Sequence, residues 1–200
     1  MNISKSKYLY WLLRSLPNFL WPLKYFIIKI SLKKAGRNFR FGEDSFFWDF
    51  RFIEIGDNVF MGNRSTINSS VLVTIGNNVM FGPEVMIIGG DHNFEVPGIL
   101  MRNVKTGGTN LPIVIEDDVW VGARSIILKG VKISEGAIIG AGSLVTRSVL
   151  PYSINVGHPS RFVRPRFNLN QLSFHLQEIK SKYSLDEIKN IYSKENIILE

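Results

Sequence analysis

The 200-residue chain has no cysteine and only three histidines. The absence of cysteine excludes a disulfide scaffold, a thiol nucleophile and any metal site built on thiolates. His92, His158 and His175 do not follow a metal-ligand spacing, so no metal is expected. With 45% hydrophobic and 20% charged residues, the chain has the composition of a folded protein with one main domain.

Acidic residues are missing from the first 40 positions, which hold nine of the 24 Lys and Arg residues. Residues 41–160 instead hold eight basic and twelve acidic residues, so the net charge of +7 arises from the N-terminal segment. Because the body of the chain is net acidic and carries no motif that reads bases, no nucleic-acid partner is expected.

Long uninterrupted apolar runs are also missing. Residues 8–30 are rich in apolar and aromatic side chains, but Pro17, Pro22 and three basic residues interrupt them. This pattern predicts short amphipathic helices in a basic segment, residues 1–36, and neither a membrane span nor a cleaved signal peptide. The helices are expected to pack on the body or a neighbouring subunit, or to rest on an anionic membrane surface. The expected location is the cytoplasm, with peripheral contact at the inner face of the membrane as the further option.

A six-residue repeat is the strongest pattern in the chain. Its first position is large and apolar in every unit, its second is glycine in half of them, and its fifth is almost always Val, Ser or Ala. The units are IGDNVF, MGNRST and INSSVL, then IGNNVM, FGPEVM and IIGGDH, then IEDDVW, VGARSI and ILKGVK, and finally ISEGAI, IGAGSL and VTRSVL, which ends at Leu150.

A period of six excludes an amphipathic helix and predicts a solenoid. Each unit would form one short strand and one corner, with the first residue inside and the small fifth residue where two walls converge. Three units would make a coil, so that Ile115 stacks on Ile133 and Val121 on Ile139. Glycine at the second position would supply an unusual backbone angle or a close approach.

The repeat, from Ile55 to about Pro165, resembles the hexapeptide-repeat acyltransferases. The segment from Pro112 to Arg164, PIVIEDDVWVGARS through GHPSRFVR, is most similar to their sugar and xenobiotic O-acetyltransferase branch. The resemblance implies an all-β solenoid, a left-handed parallel β-helix. It also implies a homotrimer, acetyl-CoA as co-substrate without a metal, and a carbohydrate acceptor.

One repeat unit, IIGGDH, breaks the rule, because its fifth residue is Asp91 and a long insertion follows. Breaks in a local pattern often mark functional sites. His92 begins this insertion, and a neutral imidazole suits a general base for acyl transfer to a hydroxyl. The resembling family carries its catalytic histidine at this place, and His92 is therefore the predicted catalytic residue; a histidine making only turn contacts is the alternative.

Four residues are candidates for the acceptor side: Asn68, Asp91, Glu84 and Arg102. Asn68 would hold a hydroxyl or else form a left-handed corner. Asp91 would orient the imidazole or, as favoured, cap the turn. Glu84 is a second possible carboxylate partner or a solvent-facing residue. Arg102 and Lys105, in the loop 89–112, would meet an anionic acceptor or only solvent.

The resemblance places acetyl-CoA between subunits, beside the C-terminal coils. Small residues would line the pantetheine arm, Trp120 would flank the thioester or pack on a wall, and arginines would meet the phosphates. The predicted donor residues are Trp120, Gly122, Ala123, Gly140, Ala141, Arg147, Arg161 and Arg164.

Residues 166–200 leave the six-residue period, and their apolar spacing predicts helices. Ser184 to Glu187 is typical of a capping box that begins the second helix. The predicted organisation is thus segment 1–36, β-helix 37–165 and helical tail 166–200.

An O-acetyltransferase acting on a carbohydrate is the leading hypothesis for the function of the chain. A sugar-nucleotide N-acetyltransferase, a xenobiotic acetyltransferase and a β-helix scaffold without catalysis are the alternatives.

Overall fold

The computed structural model describes residue 12 and residues 20–104 and 111–199. Short strands follow one another at nearly regular intervals through this part of the chain. In chain order they are β1 (Lys34–Ala35), β2 (Arg40–Phe41), β3 (Phe46–Trp48), β4 (Ile53–Ile55), β5 (Phe60–Met61), β6 (Thr66–Ser69), β7 (Val73–Ile75), β8 (Met80–Phe81), β9 (Met86–Gly89), β10 (Ile113–Ile115), β11 (Trp120–Val121), β12 (Ile126–Leu128), β13 (Lys132–Ile133), β14 (Ile138–Ile139), β15 (Leu144–Val145), β16 (Ser153–Gly157) and β17 (Ser160–Pro165).

Every third strand belongs to the same sheet. Sheet A has the order β1-β4-β7-β10-β13, sheet B the order β2-β5-β8-β11-β14-β16-β17, and sheet C the order β3-β6-β9-β12-β15. Neighbouring strands pair in parallel, except for β16 and β17, and Ile115 pairs with Ile133 and Val121 with Ile139, as the repeat predicts. The fold is a left-handed parallel β-helix, which confirms the predicted fold class.

The interior of the prism is filled by the first and fifth residues of each unit. The first residues, from Ile55 to Val145, are all buried, and so are the small residues at the fifth position. The exception is Asp91, which is exposed. Because one coil encloses too little apolar volume by itself, the coils depend on one another for a continuous core.

The glycines of the second position serve the close approach of successive coils rather than an unusual backbone angle. A Cβ at Gly56 would lie 2.5 Å from the carbonyl oxygen of Gly76 in the next coil. The left-handed backbone conformation falls two residues later, at Asn58 and Asn78, and at Gly142 in a later coil. The sequence hypothesis was right about the close approach, while the turn conformation belongs to the fourth position.

This division of roles predicts different costs for two glycine substitutions. Gly56→Ala is expected to lower the free energy of unfolding by about 2 kcal/mol, because the methyl group overlaps the backbone of the next coil. Gly142→Asn is the matched control. Open space surrounds that position, and asparagine already adopts the same conformation at Asn58. Thermal unfolding measures both variants, and equal melting temperatures would contradict the assignment.

The β-helix begins one coil before the repeat recognised from Ile55. Its first coil, β1 to β3, is built from aromatic residues, and Phe39, Phe41, Phe47 and Phe50 are all buried. Phe39 occupies the fifth position, where other coils have a small residue. Large side chains suit this place because the first coil closes an open end of the prism.

Helix α1 (Trp21–Ser31) covers that end, with Pro22 in its first turn. Ile28 is buried against the aromatic coil, and Tyr25 stacks on Phe41 with ring centroids 4.7 Å apart. Packing on the body is therefore the observed arrangement for α1. Residues 1–11 and 13–19 of the predicted amphipathic segment lie outside the described residues. None of the helices described is long and apolar enough to cross a membrane.

The other end is closed by β17, which turns back antiparallel to β16, and by two helices. Helices α2 (Leu169–Ile179) and α3 (Leu185–Lys194) both begin with capping boxes, and the one at Ser184 and Glu187 is as predicted. Their apolar faces form a second core around Tyr152.

Candidate active site

Most of the candidate site residues lie at the corners of the prism, where one strand turns into the next. The turn that leads from a strand of sheet C to the next strand of sheet A is called the C–A corner. The turn from sheet B to sheet C is called the B–C corner. Each corner recurs once per coil, so residues of different coils form columns along it.

His92 lies at the C–A corner of the third coil, just after β9, where the chain leaves the prism and returns at β10. Its side chain is exposed, and no hydrogen bond joins the imidazole to another residue of the described chain. An accessible imidazole at the root of a protruding loop is open to a substrate hydroxyl.

Asp91 holds the backbone at this point rather than the imidazole. One carboxylate oxygen accepts a hydrogen bond from the backbone N–H of His92 at 2.8 Å. The other accepts from Nζ of Lys129 at 2.6 Å. These two bonds, that of Lys129 first, lower the pKa of Asp91, so the carboxylate stays charged at neutral pH. Both contacts are those of a residue that caps a turn, which is the role that the sequence favours for Asp91.

Lys129 was missed by sequence reasoning. It lies at the C–A corner of the fourth coil, directly after β12, which pairs with β9 in register. The alignment of the units IIGGDH and ILKGVK places Lys129 opposite Gly89, two positions before Asp91. The available signal was therefore only that opposite charges lie near the same corner of adjacent coils.

Asn68 lies in β6, in register with Ile88 of β9. Its side chain is exposed, on the same sheet that leads to His92. Asn68 is therefore a strand residue facing outward and not a left-handed corner. Its amide is available to a ligand beside the C–A corner.

Glu84 lies elsewhere, at the B–C corner. Its carboxylate forms ion pairs with Arg64 and with Arg124, and the hydrogen bond from Arg64, followed by that from Arg124, lowers its pKa. Glu84 and His92 lie at different corners, so the structure does not bring this carboxylate to the imidazole. Arg102 is exposed in a short 3₁₀ helix of the loop, Met101–Asn103, whereas Lys105 lies outside the described residues.

Trp120 faces outward from sheet B. Residues paired with it on neighbouring strands form an outward-facing row that continues through Ile138 and Ile154 to Arg164. Trp120 is half exposed, and the row forms an apolar strip that ends at a guanidinium group.

The small residues of the predicted donor surface lie at the B–C corner. The space beside Gly122 is taken by the backbone of Ala141, and that beside Gly140 by the side chain of Val156. Glycine at these two positions therefore allows successive coils to pack closely on one another. Ala123 is partly buried, whereas Ala141 is exposed and Gly142 faces open space.

The three predicted donor arginines are exposed, and none forms an ion pair with an acidic residue in residues 20–104 or 111–199. Within the described part of the chain, Arg161 and Arg164, both on β17, donate only to neighbouring backbone carbonyls. Arg147 lies at the C–A corner of the fifth coil. Stacked coils are about 4.8 Å apart, so it lies about 10 Å along the prism from His92. Free guanidinium groups of this kind fit the phosphates of a nucleotide.

The predicted residues thus fall into two groups within one chain. Asn68, Asp91, His92 and Arg147 follow the C–A corner, whereas the remaining donor residues and Glu84 lie on sheet B, on β17 and at the B–C corner. No group of three or more His, Asp or Glu side chains that could hold a metal ion is present among the described residues.

Comparisons with known proteins agree with this architecture. The family model for bacterial transferase hexapeptide (six repeats) matches residues 112–147, and that for the hexapeptide repeat of succinyl-transferase matches residues 53–80. A protein named as a probable macrolide acetyltransferase from Lysinibacillus sphaericus is 38% identical over 72% of this chain and 89% of its own length. The chain belongs to the hexapeptide-repeat acetyltransferase family.

Galactoside O-acetyltransferase from Lactococcus lactis is 32% identical over 68% of this chain. The chain spans 62% of the length of that relative, and 39% of a chloramphenicol acetyltransferase from Klebsiella aerogenes. Among solved structures, a maltose O-acetyltransferase from Clostridium difficile has a TM-score of 0.73 at 25% identity, covering 83% of this chain and 89% of that one. A galactoside acetyltransferase in complex with coenzyme A has a TM-score of 0.72 at 27% identity, covering 84% and 82%.

Proposed function

We propose that the chain transfers an acetyl group from acetyl-CoA to a hydroxyl group of a carbohydrate, with His92 as the general base. The observation that carries this proposal is the position of His92. It is exposed at the root of the only long insertion between coils of the described β-helix, with its backbone fixed by Asp91 and Lys129. The galactoside and maltose O-acetyltransferases among the similar proteins support a carbohydrate acceptor.

In the proposed reaction the His92 imidazole takes the proton of the acceptor hydroxyl. The hydroxyl oxygen then attacks the thioester carbonyl carbon, the carbon–sulfur bond breaks, and coenzyme A leaves as a thiolate that takes up a proton. The acetyl group passes directly from donor to acceptor. Asn68 would hold the acceptor near the imidazole, and Arg147, Arg161 and Arg164 would bind the donor phosphates.

We further propose that the functional unit is a homotrimer whose sites lie between copies. Two observations support this. The two groups of site residues lie on different sides of one prism, so a complete site needs a second copy. The outward row of sheet B also leaves Met80 and Trp120 about half exposed, and the loop exposes Phe94 and Leu100. Large exposed apolar side chains in such rows are typical of subunit interfaces.

A macrolide or another xenobiotic is the second acceptor class. The relative from Lysinibacillus sphaericus, which this chain matches over 89% of that protein's length, carries a macrolide in its name. The exposed apolar residues of the loop would suit such an acceptor as well as a neighbouring copy. Both classes use the same base and the same donor site.

The acceptor class is tested by following release of the coenzyme A thiol in the presence of acetyl-CoA. Oligosaccharides, macrolides and chloramphenicol serve as acceptors, and kcat/KM is compared among them. A carbohydrate with the highest kcat/KM supports the proposal, whereas a macrolide or chloramphenicol with the highest value would move the chain to the xenobiotic class.

Lys129 is expected to act as a positioning residue through Asp91. Lys129→Met should lower kcat between about tenfold and 100-fold, because the backbone of His92 loses the ion pair that fixes Asp91. The KM for acetyl-CoA should stay unchanged. Lys129→Arg, which restores the charge, should recover most of the activity, and Lys194→Met, at an exposed lysine on α3, should have no effect. A kcat of Lys129→Met equal to that of the unaltered protein would contradict this role.

A further inference from the structure

Helix α1 presents an apolar face that no other described residue covers. Leu23, Phe26 and Ile30 are 48%, 61% and 65% exposed. Their spacing of three and four residues places them on one side of the helix. The opposite side, with Ile28 and Lys24, is buried on the first coil. Three large apolar side chains exposed in a row mark a surface that meets a partner.

Two basic side chains that form no ion pair with the described residues lie beside this face. Lys29, on α1, has its Nζ 5.4 Å from the centroid of the Tyr25 ring, and Arg40 points outward from β2. Neither pairs with an acidic residue in the described part of the chain. The nearby Lys33 and Arg37, by contrast, form ion pairs with Glu54 and Asp57.

A cavity of about 550 Å³ lies between one side of α1 and the first two coils. Tyr25 and Lys29 line it from α1, and Asn38, Phe39, Arg40 and Asn58 line it from the coils. The Tyr25 hydroxyl already donates to the carbonyl of Phe39, and the Asn38 amide to Asn58. The charged groups left free in the cavity are therefore both positive, and an anionic group such as a phosphate is the ligand that complements them.

We propose that α1 and the first coil dock on an anionic membrane surface. Leu23, Phe26 and Ile30 enter the boundary between headgroups and acyl chains, and a lipid phosphate occupies the cavity between Lys29 and Arg40. An apolar helical face flanked by basic side chains is the arrangement that binds bilayers containing anionic lipids.

Charge decides between a membrane and a second copy of the chain as the occupant. The first 40 residues contain nine basic and no acidic residues. Two copies meeting through this face would bring like charges together, whereas an anionic bilayer neutralises them. The surface lies at the N-terminal end of the prism, and its function does not depend on acetyl transfer.

The test is co-sedimentation of the full chain with vesicles of phosphatidylcholine, with and without phosphatidylglycerol. We expect binding to the vesicles that contain phosphatidylglycerol and weakening of that binding by salt. Lys29→Gln combined with Arg40→Gln should lower the partition coefficient about 30-fold. Phe26→Gln combined with Ile30→Gln should lower it by about as much. Phe174→Gln and Lys194→Gln, at exposed positions of α2 and α3, are the controls and should leave it unchanged.

Two outcomes would overturn the proposal. In the first, both double variants bind phosphatidylglycerol vesicles like the unaltered protein. In the second, Phe26→Gln with Ile30→Gln changes the oligomeric mass measured by light scattering and leaves vesicle binding intact, which would assign the face to a second copy. Melting temperatures of the variants confirm that each is folded. Vesicle binding and thiol release are measured separately, so failure of one leaves the other result standing.

Discussion

His92→Ala is expected to lower kcat for acetyl transfer by a factor of about 10² to 10⁴, the range that general bases contribute. The alanine variant can still bind the acceptor and acetyl-CoA, but no group then takes the hydroxyl proton. The affinity for acetyl-CoA should stay within about twofold of that of the unaltered protein, because the donor arginines are untouched. Stopped-flow or steady-state release of the coenzyme A thiol measures the rate, and calorimetry measures donor binding.

His158→Gln is the matched control for this substitution. His158 is exposed in the turn between β16 and β17 and lies on a different part of the prism from His92. Its replacement should leave kcat unchanged. Full turnover by His92→Ala would show that another group takes the proton. Loss of both turnover and acetyl-CoA binding would show that His92 acts by holding the site together.

The second large effect is expected at the donor arginines. Arg161→Gln combined with Arg164→Gln should raise the KM for acetyl-CoA about 100-fold at low salt, about tenfold for each lost charged hydrogen bond. Both guanidinium groups are exposed, and among residues 20–104 and 111–199 they donate only to backbone carbonyls, so their removal should leave the fold intact. The kcat at saturating acetyl-CoA should change little, because phosphate binding is remote from the reacting carbonyl.

Arg37→Gln serves as the control for the arginine variant, since Arg37 is exposed on the first coil and pairs with Asp57. Its KM for acetyl-CoA should equal that of the unaltered protein. A double variant whose KM stays within twofold of the original would place the donor phosphates elsewhere. Arg147, at the C–A corner of the fifth coil, would then be the next residue to test.

Much of the fold could be predicted because the repeat directly encodes the geometry of the prism. The first residue of a unit is interior, so the positions of Ile115 and Ile133 alone fix the register of two coils. The predicted β-helix, residues 37–165, includes most of the first coil, but the six-residue repeat was not recognised there because Phe39 occupies a position where the pattern has a small residue. A coil at the end of a stack has a neighbour on one side only, and its interior is filled by aromatic rings and α1.

The site was less predictable than the fold, because contacts between coils depend on side-chain direction. The sequence identifies His92 through the broken unit, but the pairing of Asp91 with Lys129 joins residues separated by the whole insertion. Glu84 looked available in the sequence, yet two arginines from neighbouring coils of the same corner column engage it. The sequence shows which charged residues each coil carries, whereas only the stacked structure shows which of them form ion pairs.

Direct transfer of the acetyl group is the central claim, and acetyl-CoA with a labelled acetyl group tests it. The protein is incubated with this donor and the best acceptor from the thiol-release comparison, and products are separated from protein. The label is expected on the acceptor, as an ester that hydroxylamine releases, with none on the protein. Label attached covalently to the protein would contradict direct transfer, and label that stays in acetyl-CoA with every acceptor, although the protein binds the donor, would contradict the proposed activity.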